Sequence, residues 1–384
     1  MSGTIGPLLP SDEGFNHQIV DTFAAVSQSD YSWAEKVCAM AGARDGSLQL
    51  DFGFGKYVNR NVMDAYAGVS RGVEQWTVRA SRALASDPET VSVGPIHYRV
   101  AKPLQSVHVW LEPNPVQPIA FDVLFEGIVP AFLEGREDRR DVHGFRRQAD
   151  QIRYHQTGTA TGWIEVEGKR QAITPDTWVS TRDHSWGVRQ EVGVPLTDIE
   201  PEVLRGTAAL LAIWNPLFFE RPDGSRYALH HYFFKYSVPG FSHFQFQGHF
   251  ESPNGNRDPI ASLRPEIRFN PSNKRLLGGR FVFTMPDGTE RPIEIAAISD
   301  TGFHLGAGLY MGLDGRYHGS WRGPLEVSGD YFPNCADPST VARINQFRDC
   351  MIRAVDPVGG GVGWGNCQTF VQGRWPELGV PGDD

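Results

Sequence analysis

From about Leu48 onward the chain alternates with a period of two. Gln49, Asp51, Gly53 and Gly55 interleave with Leu50, Phe52, Phe54 and Lys56. Val107, Val109 and Leu111 interleave with Ser106, His108 and Trp110, and Ile119, Phe121, Val123 and Phe125 with Ala120, Asp122, Leu124 and Glu126. Successive side chains of a strand point to opposite faces, so each run predicts a strand with one core face. Turn signals separate such runs: Glu167-Gly168, Pro222-Asp223-Gly224, Asn254-Gly255, Pro286-Asp287-Gly288 and Asp314-Gly315, each read as a hairpin corner. Phe281-Val282-Phe283-Thr284 followed by Arg291-Pro292-Ile293-Glu294-Ile295 is the clearest hairpin. Many antiparallel strands on short corners predict an all-β fold of sandwiches or barrels.

Helical spacing is confined to the ends. Phe15, Ile19, Phe23 and Val26 recur at roughly helical intervals, and Ser29 or Ser32 is placed to start a second short helix through Trp33 and Val37. Late in the chain Asp337-Pro338-Ser339 supplies a cap and a first-turn proline; Val341, Ile344, Phe347 and Met351 follow, predicting a helix over 338–351. The stretch 193–202 holds Pro195 and Pro201 and no strand pattern. These signals divide the chain into a lead-in with short helices (1–47), a first β domain (48–195) and a second β domain carrying the late helix (196–384).

Composition narrows the function. The 384 residues are 40% hydrophobic, enough for a sizeable core. A net charge of -9 argues against nucleic acid or an anionic membrane as the main partner. Cys38, Cys335, Cys350 and Cys367 form no Cys-x-x-Cys pair, so a zinc ribbon or thioredoxin-type site is not expected, and scattered thiols suit a reducing, cytoplasmic setting. The first residues show no basic start and no long apolar run, so no secretory signal is expected. No stretch of about 18 apolar residues predicts a transmembrane helix. A homodimer is compatible with all of this.

Chemistry concentrates in Thr181-Arg182-Asp183-His184-Ser185-Trp186-Gly187-Val188-Arg189. A strand here places Asp183, Ser185 and Arg189 on one face and His184, Trp186 and Val188 on the other. A carboxyl in an apolar pocket is protonated near neutral pH, and an imidazole shuttles protons without much tuning. Asp183 and His184 are therefore the candidate proton handlers. They reach one cavity only if the strand bulges, as it could at Gly187; otherwise the segment reads as a structural strand end. In 241–251 the odd positions, among them His243, His249 and Glu251, are polar and the even ones largely apolar. The polar face looks to solvent in a sandwich and could line the cavity of a barrel. His243 and His249 lie roughly 20 Å apart on a strand, too far to share a metal. His249 and Glu251 are about 7 Å apart, but spacing offers them no third ligand. His230 and His231 adjoin and face opposite ways. Trp214-Asn215 follows an apolar run: Trp214 could wall a pocket and Asn215 could orient a polar group or water, or the pair simply ends a core strand at Pro216. Tyr232, Tyr310 and Trp321 are further aromatic candidates.

Known cofactor motifs are missing. The glycine run at Gly359 lacks the Lys-Ser/Thr of a phosphate loop, no Gly-x-Ser-x-Gly elbow occurs, and no Gly-x-Gly-x-x-Gly opens a strand-to-helix unit. No cofactor and no resident metal are expected.

The run Arg182-Asp183-His184-Ser185-Trp186-Gly187-Val188-Arg189 resembles the Asp-His-x-Trp-Gly type signature of the double-lipocalin, calycin-like proteins related to carotenoid 1,2-hydratase and AttH. The strand at 162–166 and the Trp214-Asn215 strand look similar too, and the likeness extends as a pattern over about 48–325. The resemblance implies two consecutive lipocalin-like antiparallel β-barrel or sandwich domains, with a hydrophobic ligand between or within them. It also implies a carboxylic acid protonating an isoprenoid double bond, with water capturing the cation; other branches cyclise polyenes folded inside the cavity. Carried to this chain, Asp183 is the acid and Trp186 stabilises positive charge. The expectation is acid-initiated hydration, dehydration, isomerisation or cyclisation of an isoprenoid or polycyclic molecule, a hydro-lyase or isomerase/cyclase activity. Asp183 and His184 would be catalytic, Trp186, Trp214 and Tyr232 cavity wall, Arg189 and Asn215 partners of the acid or a water, and His249 a further ligand contact. The alternatives are a non-catalytic carrier of a lipophilic ligand and metal chemistry through His249 and Glu251.

Overall fold

A computed structural model describes residues 9–15, 29–189, 192–200, 208–307, 310, 313 and 315–382. Two antiparallel sheets, each curled toward a barrel, make up the molecule. The first runs from Leu325–Phe332 through Glu74–Ala83, Val62–Arg71, Gln49–Tyr57, Trp33–Ala43, Trp178–Val188, Arg147–Val166, Ile119–Gly127, Ser106–Leu111 and Ile96–Lys102 to Ser92–Val93. Its last strands curl back onto Val62–Arg71 and Glu74–Ala83. The second runs from Arg257–Pro259 through Phe241–Glu251, Arg226–Val238, Ala209–Glu220, Gly361–Asn366, Met351–Asp356, Glu290–Ala297 and Leu276–Thr284 to Ser262–Phe269.

The period-two runs became strands for the expected reason. Leu50, Phe52 and Phe54 turn inward with Val107, Val109, Phe121, Val123 and Phe125 to fill the first barrel. Leu229, Phe250, Phe281, Phe283 and Ile293 fill the second. Glu167 and Gly168 both take positive φ (53° and 76°), the signature of the tight hairpin turn predicted there. The 281–284 and 291–295 runs pair within the hairpin Leu276–Thr284/Glu290–Ala297. Asp314 lies outside the described residues, as do Ile19, Phe23 and Val26 of the first helical pattern.

Two helical expectations are corrected. The stretch through Trp33 and Val37 is the strand Trp33–Ala43, paired on both sides. Its Val37, Ala39 and Ala41 face the barrel core while Lys36, Cys38 and Met40 face away, a period of two masked by the small, weakly patterned residues. The late helix begins as predicted, with Asp337 accepting from the Thr340 amide and Pro338 in the first turn, but spans only Pro338–Ile344. Arg348–Asp349 and Met351–Asp356 are strands, because Met351 and Ile352 are buried in sheet positions that override the helical spacing. Leu325–Phe332 returns to edge the first sheet against Glu74–Ala83, so the chain crosses back once after building most of the second. Among the described residues no helix is long and apolar enough to cross a membrane.

The outer face of the first sheet is itself covered. Arg147–Val166 packs on Ala209–Glu220, and Trp33–Ala43 and Trp178–Val188 pack on Gly361–Asn366. Met40, Val179, Phe218 and Met351 form an apolar seam between the barrels. Gly42 permits this approach: a Cβ there would lie 2.2 Å from the Met351 sulfur. Phe52, with no exposed surface, packs against Phe54 and Tyr98 inside the first barrel. Phe52→Ala is expected to cost about 3–5 kcal/mol, read as a lowered denaturation midpoint with an unchanged denaturant slope.

Candidate functional site

Trp178–Val188 lies between Trp33–Ala43 and Arg147–Val166 in unbroken register. Asp183 stands opposite Cys38 and His155; His184 stands opposite Val37 and Tyr154. Gly187 makes no bulge. Its φ of +135° lets the backbone approach Asp150 O, where a Cβ would sit at 2.2 Å. The two predicted proton handlers therefore face opposite ways, into two different polar assemblies.

His184 faces the first barrel. Its Nε2 lies 2.9 Å from Glu35 Oε1 and its Nδ1 3.2 Å from the Tyr154 hydroxyl. Tyr154 donates to Glu13 at 2.5 Å, and Arg182 grips the same carboxylate at 2.6 and 3.1 Å. Glu13 arrives on a 3-10 turn, Pro10–Glu13, that brings the N-terminal segment into the barrel. Burial pushes its carboxyl up, but the Arg182 charge and the hydrogen bonds from Arg182, Tyr154 and the Leu104 amide outweigh it and hold it low. Beside Phe15 opens a cavity of about 710 Å³ lined by Phe15, Lys56, Val91, His97, Tyr98 and Trp110. Trp186 shares this face, edge-on to His184 at 5.5 Å and Tyr154 at 6.4 Å.

Asp183 faces the second sheet and lines a small chamber of about 40 Å³, room for about two or three waters. Met40, Tyr66, Trp214, Leu305 and Tyr310 supply its apolar wall; Asp51, Asp183, Asp349, Asn366 and Gln368 supply polar groups. Asp51 and Asp349 are buried and hydrogen-bonded to each other. Gln49 donates to Asp51 at 2.9 Å, while Asn366 and Gln368 donate to Asp349 at 2.7 and 2.9 Å. Burial raises Asp51 well above the carboxylate range, and the charge and hydrogen bond of Asp349 raise it further. Burial also raises Asp349, which its three donors partly restrain. Two buried carboxyls hydrogen-bonded to each other favour sharing one proton, and the upward shift is the larger at Asp51. Burial raises Asp183 as well, against the pull of Arg153. Burial drives the Cys38 thiol up to about 12, so it is no thiolate nucleophile.

A second charged cluster adjoins the chamber through Arg153 and Trp214. Glu134 accepts from Arg153 (3.1 Å), Trp214 Nε1 (3.2 Å) and Gln247 (3.0 Å), and lies 3.0 Å from His155 Nδ1. His155 Nε2 lies 2.9 Å from Glu251 Oε1. The rings of His155 and His230 stack at 3.4 Å. Burial would push His155 down, yet the two carboxylates raise it to about 9. Burial and the neighbouring His155 drive His230 far down.

The predicted residues thus separate. Asp183 and Trp214 meet in the chamber. Arg189 bonds Ser185 (2.8 Å) and Gln151 (2.7 Å) at the strand's end. Tyr232 lines a cleft with Glu134, Arg153 and Gln247, and His249 packs edge-on to Phe132 at 4.7 Å. Asn215 lies inside the second barrel, donating to Asn366 O at 2.6 Å with its own oxygen 3.1 Å from His231; it does not reach the acid because it follows Trp214 and faces the other way. Asp51, Asp349, Glu134 and His155 were not singled out as site residues. Asp51 had a visible signal, an acid on a strand face shared with Gly53 and Gly55. Asp349 was hidden in a stretch that reads as helix, and Glu134 and His155 carry no local motif.

Fold and site define a two-barrel, lipocalin-like protein with a polar chamber between the barrels. The chain belongs to DUF8625, a family of unknown function, whose model matches residues 9–364. No curated protein matches it in sequence. Among solved structures it is similar to a putative AttH from Nitrosomonas europaea (11% identity, TM-score 0.51, covering 90% of this chain and 94% of that one). It is also similar to kievitone hydratase from Nectria haematococca (10%, TM-score 0.42, covering 93% and 95%) and to CghA (12%, TM-score 0.47, covering 88% of each). At these identities the AttH likeness establishes the fold alone.

The carboxyl pair makes a stability prediction. Asp51 and Asp349 bind protons more tightly folded than unfolded, so their contribution is complete below the ordinary carboxylate range of about 4. It is lost as pH rises through the raised folded values. Asp51→Asn keeps a neutral donor in place, so its stability should fall less steeply with pH than that of the unmodified protein. Denaturation at a series of pH values checks this; parallel curves would mean that no proton is shared.

Proposed function

We propose that the protein is an enzyme that protonates a hydrophobic small molecule, isoprenoid or polycyclic, in the chamber between its barrels. The reaction is hydration, dehydration, isomerisation or cyclisation. One observation carries this reading: a buried carboxyl, Asp51, hydrogen-bonded to Asp349 beside Tyr66, Trp214 and Tyr310, where burial and its partner raise it well above the carboxylate range. Asp51 gives its proton to a substrate double bond, leaving a carbocation and an ionised pair. The aromatic faces stabilise the cation by about 0.5–2 kcal/mol each. A chamber water adds through its oxygen and returns a proton to the pair, or an adjacent C–H loses one and the double bond has moved; either way the acid is restored. Asp183 is the second group placed to exchange a proton here, and the His184 bonds on the opposite face hold its strand in position. The present chamber accommodates water, so a substrate enters by parting the side chains between the sheets. The fold shared with AttH is compatible with this chemistry, and the four free thiols suit the cytoplasm.

A second reading, a carrier, is favoured by the cavity of about 710 Å³ beside Phe15, which matches the size of lipophilic-ligand pockets. Incubation of the protein with linear and polycyclic terpenoids in D2O separates the two. An acid-initiated enzyme places solvent deuterium on a product carbon, and Asp51→Asn slows that by about 10²–10⁴-fold. Deuterium incorporation that survives in Asp51→Asn would refute the assignment. Binding without conversion, weakened by Trp110→Ala and indifferent to Asp51→Asn, would establish the carrier.

A further inference from the structure

We propose that the first barrel holds a binding site for a lipophilic carboxylic acid, and that Glu13 fills its carboxylate position from within the chain. The inference rests on the cavity of the carrier reading and is independent of the acid chemistry in the chamber.

The Glu13 carboxylate sits among donors that the barrel supplies. Arg182 grips it with two nitrogens, at 2.6 and 3.1 Å. The Tyr154 hydroxyl and the Leu104 amide also donate to it. Gln156 orients the guanidinium, accepting from its Nε at 2.9 Å and from a terminal nitrogen at 2.8 Å. Arg182, Tyr154 and Gln156 are buried. A fixed guanidinium fork aimed at two carboxylate oxygens is the geometry that recognises a carboxylate. These donors outweigh burial and hold Glu13 low, so they favour the ionised form of any carboxylate placed there.

The present occupant is lightly built. Glu13 arrives on a turn of four residues that adds no strand to either sheet. Leu9, Pro10 and Ser11 are exposed, and within 9–15 only Glu13 and Phe15 are buried. Phe15 lies 5.9 Å from the Tyr98 ring and 5.4 Å from His184. The cavity of about 710 Å³ opens directly on Glu13 and Phe15 and falls within the range of about 300–1,000 Å³ that holds small ligands. Leu84, Val91, Tyr98, Val100 and Trp110 offer its walls to an apolar body. Lys56 on the same wall donates to Phe15 O at 3.0 Å and is offset by Glu35. Withdrawal of Glu13 therefore leaves the Arg182 charge for one ligand carboxylate to match. A neutral lipophile cannot make that exchange, because a buried guanidinium left unpaired is costly. The site selects acids, and Glu13 competes with them.

The test titrates hexadecanoic acid and hexadecan-1-ol into the unmodified protein and its variants by calorimetry. Glu13→Gln removes the internal competitor and should bind the acid at least about tenfold more tightly than the unmodified protein, with little gain for the alcohol. Glu13→Gln combined with Arg182→Met buries no unpaired charge and should lose that gain. In the unmodified protein, saturating acid should speed hydrogen exchange in 9–15 as the segment leaves. Equal affinity of Glu13→Gln for acid and alcohol, a gain that survives without Arg182, or unchanged exchange in 9–15 with acid bound would overturn the proposal. Terpenoid binding that still depends on Trp110, with no preference for acids, would sink this inference and leave the carrier reading standing. The deuterium assay on Asp51→Asn reports on the chamber separately.

Discussion

The central strands of the first sheet are buried on both faces, and nearly everything of interest follows from that. One face of Trp178–Val188 closes a barrel and the other is covered by the second sheet. A strand in regular register cannot choose which face receives a charged residue once its neighbour is fixed. Asp183 and His184 are adjacent, so each must find partners on its own side. Both sides are buried from bulk solvent, where an unsatisfied polar group is costly. The result is two polar layers back to back across one sheet. The inner layer links Glu35, His184, Tyr154, Glu13 and Arg182; the outer layer runs through Glu134, His155, Arg153, Asp183 and the Asp51–Asp349 pair.

How legible this was depended on whether a signal was local. Strands announced themselves where apolar residues were large, as in 119–125, and failed where they were small: the Ala and Gly of Trp33–Ala43 fill an interior whose bulk comes from other strands. The 338–351 spacing was a true helical start that tertiary burial cut short at Ile344. The run around Asp183 forms the strand that period-two reasoning predicts, with Asp183 and His184 on opposite faces; only a bulge would have reunited them, and Gly187 serves close backbone approach instead. Trp214 could be placed beside a pocket because it ends an apolar run. Asp51 with Asp349, and His155 with His230, meet only when the barrels dock, across 298 and 75 residues of chain, and no spacing rule reaches that far.

The two assemblies differ in what their surroundings do to protons. In the barrel, Arg182 lies against Glu13 and holds its carboxyl low, so Glu13 is poorly placed to donate a proton. Among the described residues, no cation is hydrogen-bonded to Asp51 at the chamber. Its polar partners are an amide, which only partly restrains it, and another carboxyl, which adds to the effect of burial, so the carboxyl is raised. The same interface therefore produces opposite outcomes over a short distance: Glu134, supplied with Arg153, His155 and Trp214, is held strongly ionised, while Asp51, supplied with Asp349, is raised well above the carboxylate range.

That contrast bears on where chemistry and binding sit. The cavity beside Phe15 has volume and aromatic lining, but the carboxylate at its edge is a poor acid. The chamber has a good acid and an aromatic wall, but space only for water. A cation-forming reaction needs its acid away from bulk solvent, because bulk water captures a carbocation before it rearranges. A small chamber meets that need better than a wide one, provided the barrels yield enough to admit the reacting end of the substrate. The apolar seam of Met40, Val179, Phe218 and Met351 permits such yielding, since it is held by dispersion rather than by directional bonds. The Glu134–His155–Glu251 chain, made of directional bonds across the same interface, resists it. Opening is therefore expected to pivot about that cluster, which stays fixed while the Met40 side of the chamber parts.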